Sequence, residues 1–305
     1  QLPLQGAESS AGIFAPTLRH HDGWFYLITT NTTHGGNFIV KTRDPYGEWS
    51  DPLWLPDVKG IDPDLFWDTD GTAYLHWSIA GVPNETTGIR QARFNPQDGR
   101  LLETPRLIWE GTGGTYPEGP HMFQRGNWYY LCIAEGGTDW GHMQTIARSS
   151  NIQGPWSPGP HNPILTHRSI QNPIQCVGHA DLVQTPNSEW FGVCHGVQHL
   201  NYPSYHILGR ETHLFPVRWT EDDWPVFADN SVLRRDMPII PGARYQPIDT
   251  AFEDTFNDDV FPLEWAWLRN PDMNRYQRRD GCLQLQGSTD ILTSTQQPTW
   301  IGVRQ

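Results

Sequence analysis

Short apolar segments alternate with turns carrying Gly, Asn or Asp along most of the chain. No long segment places apolar residues at i, i+3, i+4 and i+7, so helices are not expected. Four segments, 15–30, 62–78, 118–134 and 179–196, share one order: a polar or small residue, a short apolar strand, a turn and an aromatic-rich strand. Their turns are His21-Asp22-Gly23, Thr69-Asp70-Gly71, Arg125-Gly126-Asn127 and Pro186-Asn187-Ser188. Residues of these kinds accept the positive φ that tight hairpin turns require, so each segment is expected to fold as a hairpin. The strands after the turns, Trp24–Leu27, Ala73–His76, Trp128–Leu131 and Trp190–Val193, are rich in aromatic and aliphatic residues that suit a pleated surface.

A unit recurring every roughly 40–60 residues with several strands per unit is a propeller pattern. Gly36–Val40 followed by Asp44–Trp49, and Thr145–Ser149 followed by Gly154–Trp156, read as twin outer strands of two blades. A β-sandwich built from similar hairpins is the alternative. The expected class is all-β, with a propeller over about 1–240.

Composition narrows the function classes. The 305 residues hold 34 acidic and 21 basic side chains, a formal net charge of −13. That balance argues against nucleic acid or an anionic membrane as a partner. No apolar run approaches the ~20 residues of a membrane helix. Four cysteines, none in a C-x-x-C pair, exclude a disulfide scaffold and a zinc ribbon. Cys132 and Cys194 fall on equivalent apolar strands and are expected to pack as small hydrophobes. Fifteen Trp suit either blade cores or flat platforms for sugar rings.

In a propeller, equivalent positions of the innermost strands ring one mouth of the channel. Here that ring reads Ala15, Asp62, Glu118 and His179. Two carboxylates and an imidazole facing one cavity serve stability poorly, because like charges held close are costly. The alternative is that each carboxylate binds its own local turn. A carboxyl pair across a cleft suits glycoside hydrolysis, where one acid stays protonated beside a charged neighbour. Glu118 is the better acid, on the longer arm and crowded by Tyr116 and Pro117; Asp62 is the charged partner. Phe14 and Trp140 offer stacking surfaces, and Arg210 is the candidate cation for substrate hydroxyls or for the carboxylates.

The segments Gly12–Arg19, Gly60–Phe66, Tyr116–His121, Ala134–Thr138, Gly178–Asp181 and Leu208–Thr212 together resemble the successive blade motifs of glycoside hydrolase family 43, of the β-xylosidase / α-L-arabinofuranosidase type. The resemblance spans about 1–240. It implies a five-bladed propeller whose first blade is largely missing here, and an inverting mechanism. It puts the acid on Glu118, the pKa-tuning carboxylate on Asp62 and the substrate-binding arginine on Arg210. The axial histidine, beside a water-coordinated metal in several members, falls on His179. Thr138 and Ala15 match positions near the glycone, and Phe14 stands where relatives usually carry Trp. No cofactor is required on this reading, although calcium or another cation at the axis is compatible with it. Xylo-oligosaccharide or arabinoxylan is the implied substrate. A propeller that only binds carbohydrate is the rival reading.

From about 245 to 305 the chain resembles the start of the concanavalin-like β-sandwich appended to such enzymes, with Phe252–Phe256 and Leu263–Pro271 as the cue. So short a portion is not expected to fold alone. The family's general base is an Asp of the first blade, expected ahead of Gln1, and both ends read as cut. A chain without that base is expected to be nearly inactive. No signal peptide is visible, and the sequons at Asn31 and Asn84 do not fix the compartment, secreted or cytoplasmic.

Overall fold

The computed structural model describes residues 2, 7–8, 11–201, 204–237 and 251–303. The division expected between 240 and 245 lies outside them. The described residues form an all-β structure whose four repeats are four antiparallel sheets arranged as propeller blades. The first blade holds β1 (Thr17–His21), β2 (Trp24–Asn31), β3 (Gly36–Thr42) and β4 (Leu53–Trp54). The second holds β5 (Ile61–Trp67), β6 (Ala73–Ser78) and β7 (Ile89–Asn95), with β8 (Arg100–Leu101) and β9 (Arg106–Trp109) both pairing with β7. The third runs β10 (Glu118–Arg125), β11 (Trp128–Glu135), β12 (Met143–Ser149) and β13 (Ser157–Pro158). The fourth runs β14 (Ile174–Gln184), β15 (Trp190–Gln198), β16 (Arg210–Trp219) and β17 (Pro225–Phe227).

Each repeat supplies the two inner strands of its blade, joined by the expected hairpin. Asp22 and Gly23 both have positive φ, 48° and 71°, as a two-residue hairpin turn demands. The outer twins are half as expected. Gly36–Val40 and Thr145–Ser149 are third strands, but the fourth strands are two-residue pairs, Leu53–Trp54 and Ser157–Pro158, which follow Trp49 and Trp156 instead of containing them. Short edge strands of this kind leave little unpaired backbone exposed.

The core lies between blades. Tyr26, Ile28 and Ile39 meet Leu65, Leu75 and Trp77 between the first and second blades. Tyr74, Ile89 and Trp109 meet Met122, Leu131 and Ile133 between the second and third. Tyr130, Cys132 and Ile146 meet Ile174, Val177, Cys194 and Phe215 between the third and fourth. Phe215 is fully enclosed, so its truncation to Ala costs about 3–5 kcal/mol. Cys132 and Cys194 are free thiols in this core, as small hydrophobes.

After residue 250 the chain forms two small sheets: β18 (Trp265–Trp267) with β21 (Ile301–Val303), and the hairpin of β19 (Tyr276–Arg279) and β20 (Cys282–Leu285). These are part of a β-sandwich. Among the described residues there, only Tyr276, Arg278 and Pro298 are buried. No helix of the described residues is long and apolar enough to cross a membrane.

Candidate active site

The inner strands carry a distortion where each repeat begins. Register shifts fall between Ile61 and Asp64, between Glu118 and His121, and twice between Gln175 and Asp181. In the first blade an isolated bridge from Ile13 to Asn31 stands apart from the regular pairing that starts at Thr17. Bulges of this kind re-aim side chains at the rims of closed sheets. Asp62 and His179 sit on them with φ of 54° and 52°, and Gly119 has φ of 56°.

Asp62 and Glu118 come together here. Asp62 Oδ2 accepts a hydrogen bond from the N–H of Gly119 at 3.1 Å, joining the second blade to the residue beside Glu118. Burial pushes the Asp62 carboxyl up to about 6, against the pull of the Gly119 N–H, His121 and Arg210. Burial, and then the negative charge of Asp62, push Glu118 up to about 7, against Arg210. Near neutrality the pair therefore holds one proton more readily on Glu118 than on Asp62. Arg210, at the start of β16, is exposed and forms no ion pair with a described residue, yet its charge acts on both carboxyls.

His179 lies against Gly119, where a Cβ would meet its Nε2 at 2.6 Å. Its ring is 5.6 Å from that of His121 and 6.2 Å from that of His195. Burial, then His121, His195, His142 and Arg210, hold it well below the ordinary histidine value. His142 and His195 stack at 4.6 Å and are pushed down to about 4 and about 3, chiefly by burial. His179 and His195 of the fourth blade and His142 of the third thus form a set of neutral imidazoles beside the carboxyl pair. Calcium prefers carboxylate and carbonyl oxygens. Among the described residues no group of three or more His, Cys, Asp or Glu is arranged to hold a metal ion. The side chains around His179 do not fit a directly ligated calcium ion.

Ala15 is half-buried beside the exposed Phe14, whose N–H donates to Thr30 O at 2.9 Å. Thr138 and Trp140 are exposed in the turn after β11, and the Trp140 ring meets His199 at 4.6 Å. That turn abuts the Glu118 arm: the N–H of Gly136 donates to Thr115 O at 2.7 Å.

Sequence reasoning missed two groups. Glu135, fully buried in Ala134–Thr138, accepts from the N–H groups of Thr112 and Gly114 and the hydroxyls of Thr112 and Thr145. It thereby fixes the loop that leads into Tyr116-Pro117-Glu118. The second group lies one layer below the carboxyl pair. Arg19 donates to Asp64 Oδ1 at 2.5 Å, to both oxygens of Asp181 and to His121 Nδ1 at 3.2 Å. Burial alone would raise the Asp64 carboxyl; Arg19, His121 and His76 hold it far below the usual carboxylate range. All four residues stand inside the blade motifs, two to four places after the ring positions. A charged residue inside an apolar inner strand was the signal available.

A cavity of about 480 Å³ lies at the other, turn-bearing end of the first two blades, lined by His21, Trp24, Trp67 and Arg93 among others. Neither carboxyl of the pair lines it.

Comparison with known proteins gives the family. The model of the family Glycosyl hydrolases family 43 matches residues 1–225, and that of the Beta xylosidase C-terminal Concanavalin A-like domain matches residues 253–305. A non-reducing end alpha-L-arabinofuranosidase of Bacteroides ovatus is 36% identical over 99% of this chain and 57% of its own length. A beta-xylosidase of Bacillus subtilis is 36% identical over 90% of this chain and 55% of its own. The crystal structure of a xylan beta-1,4-xylosidase from Bacillus halodurans superposes with a TM-score of 0.87 at 34% identity, covering 100% of this chain and 61% of that one. The chain thus spans under two thirds of the length of these relatives.

Proposed function

The chain belongs to glycoside hydrolase family 43, and from that membership we propose that it removes a terminal pentose, xylose or arabinofuranose, from xylo-oligosaccharide or arabinoxylan. Relatives named for both sugars support the substrate class. The observation that carries the reading is the carboxyl pair brought together where the Gly119 N–H bonds Asp62, with burial raising Glu118 to about 7 and Asp62 to about 6 against the charge of Arg210.

In this reading Glu118 is the general acid and Asp62 the carboxylate that keeps it protonated. Arg210 and Asp62 hold sugar hydroxyls. His179, Ala15, Phe14, Thr138 and Trp140 line the path of the glycone and its neighbour. As the C1–O bond breaks, Glu118 gives its proton to the leaving oxygen. Water adds to C1 from the opposite face and loses a proton to a base, which inverts the anomeric centre. The other two carboxylates on the inner strands, Asp64 and Asp181, are both committed to Arg19. The further blade that the family resemblance implies ahead of the four described would bring the base. The reaction needs no cofactor, because acid and base supply both proton transfers.

A purely carbohydrate-binding propeller is less favoured, since a carboxylic acid kept protonated near neutrality contributes little to holding neutral sugars. The test compares wild type and Glu118→Gln, each in a chain extended to carry the base-bearing blade, on a xylo-oligosaccharide and on an aryl β-xyloside with an activated leaving group. The expected loss is about 10²–10⁴-fold on the first and small on the second. Equal losses on both substrates remove Glu118 from the acid role.

A further inference from the structure

We propose that Arg19 and Asp64 are positioning residues that set where Glu118 stands relative to Asp62. The inference rests on Glu118 being the proton donor, and it concerns residues that touch neither substrate nor reacting atoms.

Asp62 and Asp64 both lie on β5, and both accept hydrogen bonds from the backbone of β10. Asp62 takes the N–H of Gly119 at 3.1 Å and Asp64 takes that of Met122 at 3.0 Å. One of these bonds falls inside the irregular stretch from Glu118 to His121, where the register of β10 against β11 shifts, and the other directly after it. A bulge has lost part of its ladder, so its conformation is set by whatever bonds remain. Here those bonds come from the neighbouring blade. The backbone directly after Glu118 is tied at two points, Gly119 and Met122, to the strand that carries Asp62.

Asp64 can serve as a clamp only if its charge is compensated. It is fully buried, and a buried carboxylate without a partner is expensive. Arg19 supplies the compensation from β1, reaches Asp181 on β14 with the rest of its guanidinium and passes His121 on β10. The fork of five donors allows this, whereas a lysine offers a point charge that cannot satisfy both carboxylates in the same way. One arginine thus ties its own blade to the three others, and Asp64 is the member that bonds the backbone after Glu118.

The experiment follows Glu118 itself. The titration of its carboxyl carbon is read by NMR in the 305-residue chain carrying labelled Glu, with Glu118→Gln identifying the signal. In Asp64→Asn one amide oxygen faces two donors, Arg19 and the N–H of Met122, so one bond is lost. The segment then relaxes away from Asp62 and toward water, and both changes lower the proton affinity of Glu118. The expected result is a loss of roughly tenfold, with Arg19→Lys giving a smaller loss of the same sign. General loss of stability does not move a titration read in the folded state. If Asp64→Asn does not fold, Arg19→Lys carries the result. Proton affinity within twofold of wild type in every folded variant overturns the proposal. The readout needs no turnover, so failure of the hydrolase reading shows separately, in the leaving-group comparison.

Discussion

Two arginines organise the two parts of this chain, and they work over very different distances. Arg19 at the propeller hub joins Asp64, His121 and Asp181, which lie 45, 102 and 162 residues away in sequence. Arg278 in the C-terminal segment pairs with Asp254 at 2.6 and 2.8 Å and with Asp258 at 3.1 Å, and donates to the carbonyl of Asp258. Its partners lie 24 and 20 residues away. Trp265 Nε1 shares Asp254, and Phe256 and Phe261 lie near the guanidinium. The hub arginine sits among large inter-blade cores; the C-terminal one stands in a region with almost no apolar core of its own. One ion network therefore closes a wheel already held by packing, whereas the other substitutes for packing.

That contrast can be broken experimentally. The largest effect is expected from Arg19→Ala, which leaves the fully buried Asp64 near Asp181 with only His76, His121 and the Met122 N–H to offset its charge. We expect a loss of about 3–5 kcal/mol in denaturant unfolding of the propeller; a loss under about 1 kcal/mol would mean that water or rearrangement replaces the arginine. A smaller effect should come from Glu118→Gln. The folded-state pKa of Glu118 is raised, so the folded chain binds more protons than the unfolded chain between its ordinary value and about 7. Stability is therefore lost as pH rises through that window, and Asp62 adds to the loss up to about 6. Glutamine removes the Glu118 part. The variant should match wild type near pH 4 and exceed it at pH 8 by on the order of 1–3 kcal/mol. The same difference at both pH values would contradict the burial of a titrating acid. The smallest effect is expected from Arg278→Ala. Amide exchange should quicken within 251–303 while the unfolding midpoint of the propeller stays put; a shift in that midpoint would show the two regions to be coupled.

The wheel was legible because its signals are local. Asp22-Gly23 and Gly126-Asn127 mark hairpins within a few residues, and the aromatic strands follow at once. Asp62 and Glu118 were legible for the same reason, since each opens its repeat. Arg19, Asp64, His121 and Asp181 were printed in the same motifs, but their meaning lies in pairing across blades. Alternation on a regular strand would place Asp62 and Asp64 on one face, and the bulge between them breaks that rule. Glu135 was hidden differently. An acidic residue ending an aromatic strand reads as a solvated edge, and only the return of the 111–115 loop encloses it. The two-residue fourth strands were obscured because Trp49 and Trp156 looked like strand residues while serving as the arms before them.

The left-handed backbone at Asp62 limits how this pocket can be altered. A φ of 54° suits Asp and Asn, whose short polar side chains tolerate it, and penalises β-branched residues. Selection at this site therefore acts on conformation as well as on charge. Anyone wishing to silence the carboxylate and trap a bound sugar has Asn as the replacement that keeps the chain path. Valine or threonine there would bend the rim and confuse lost chemistry with lost shape.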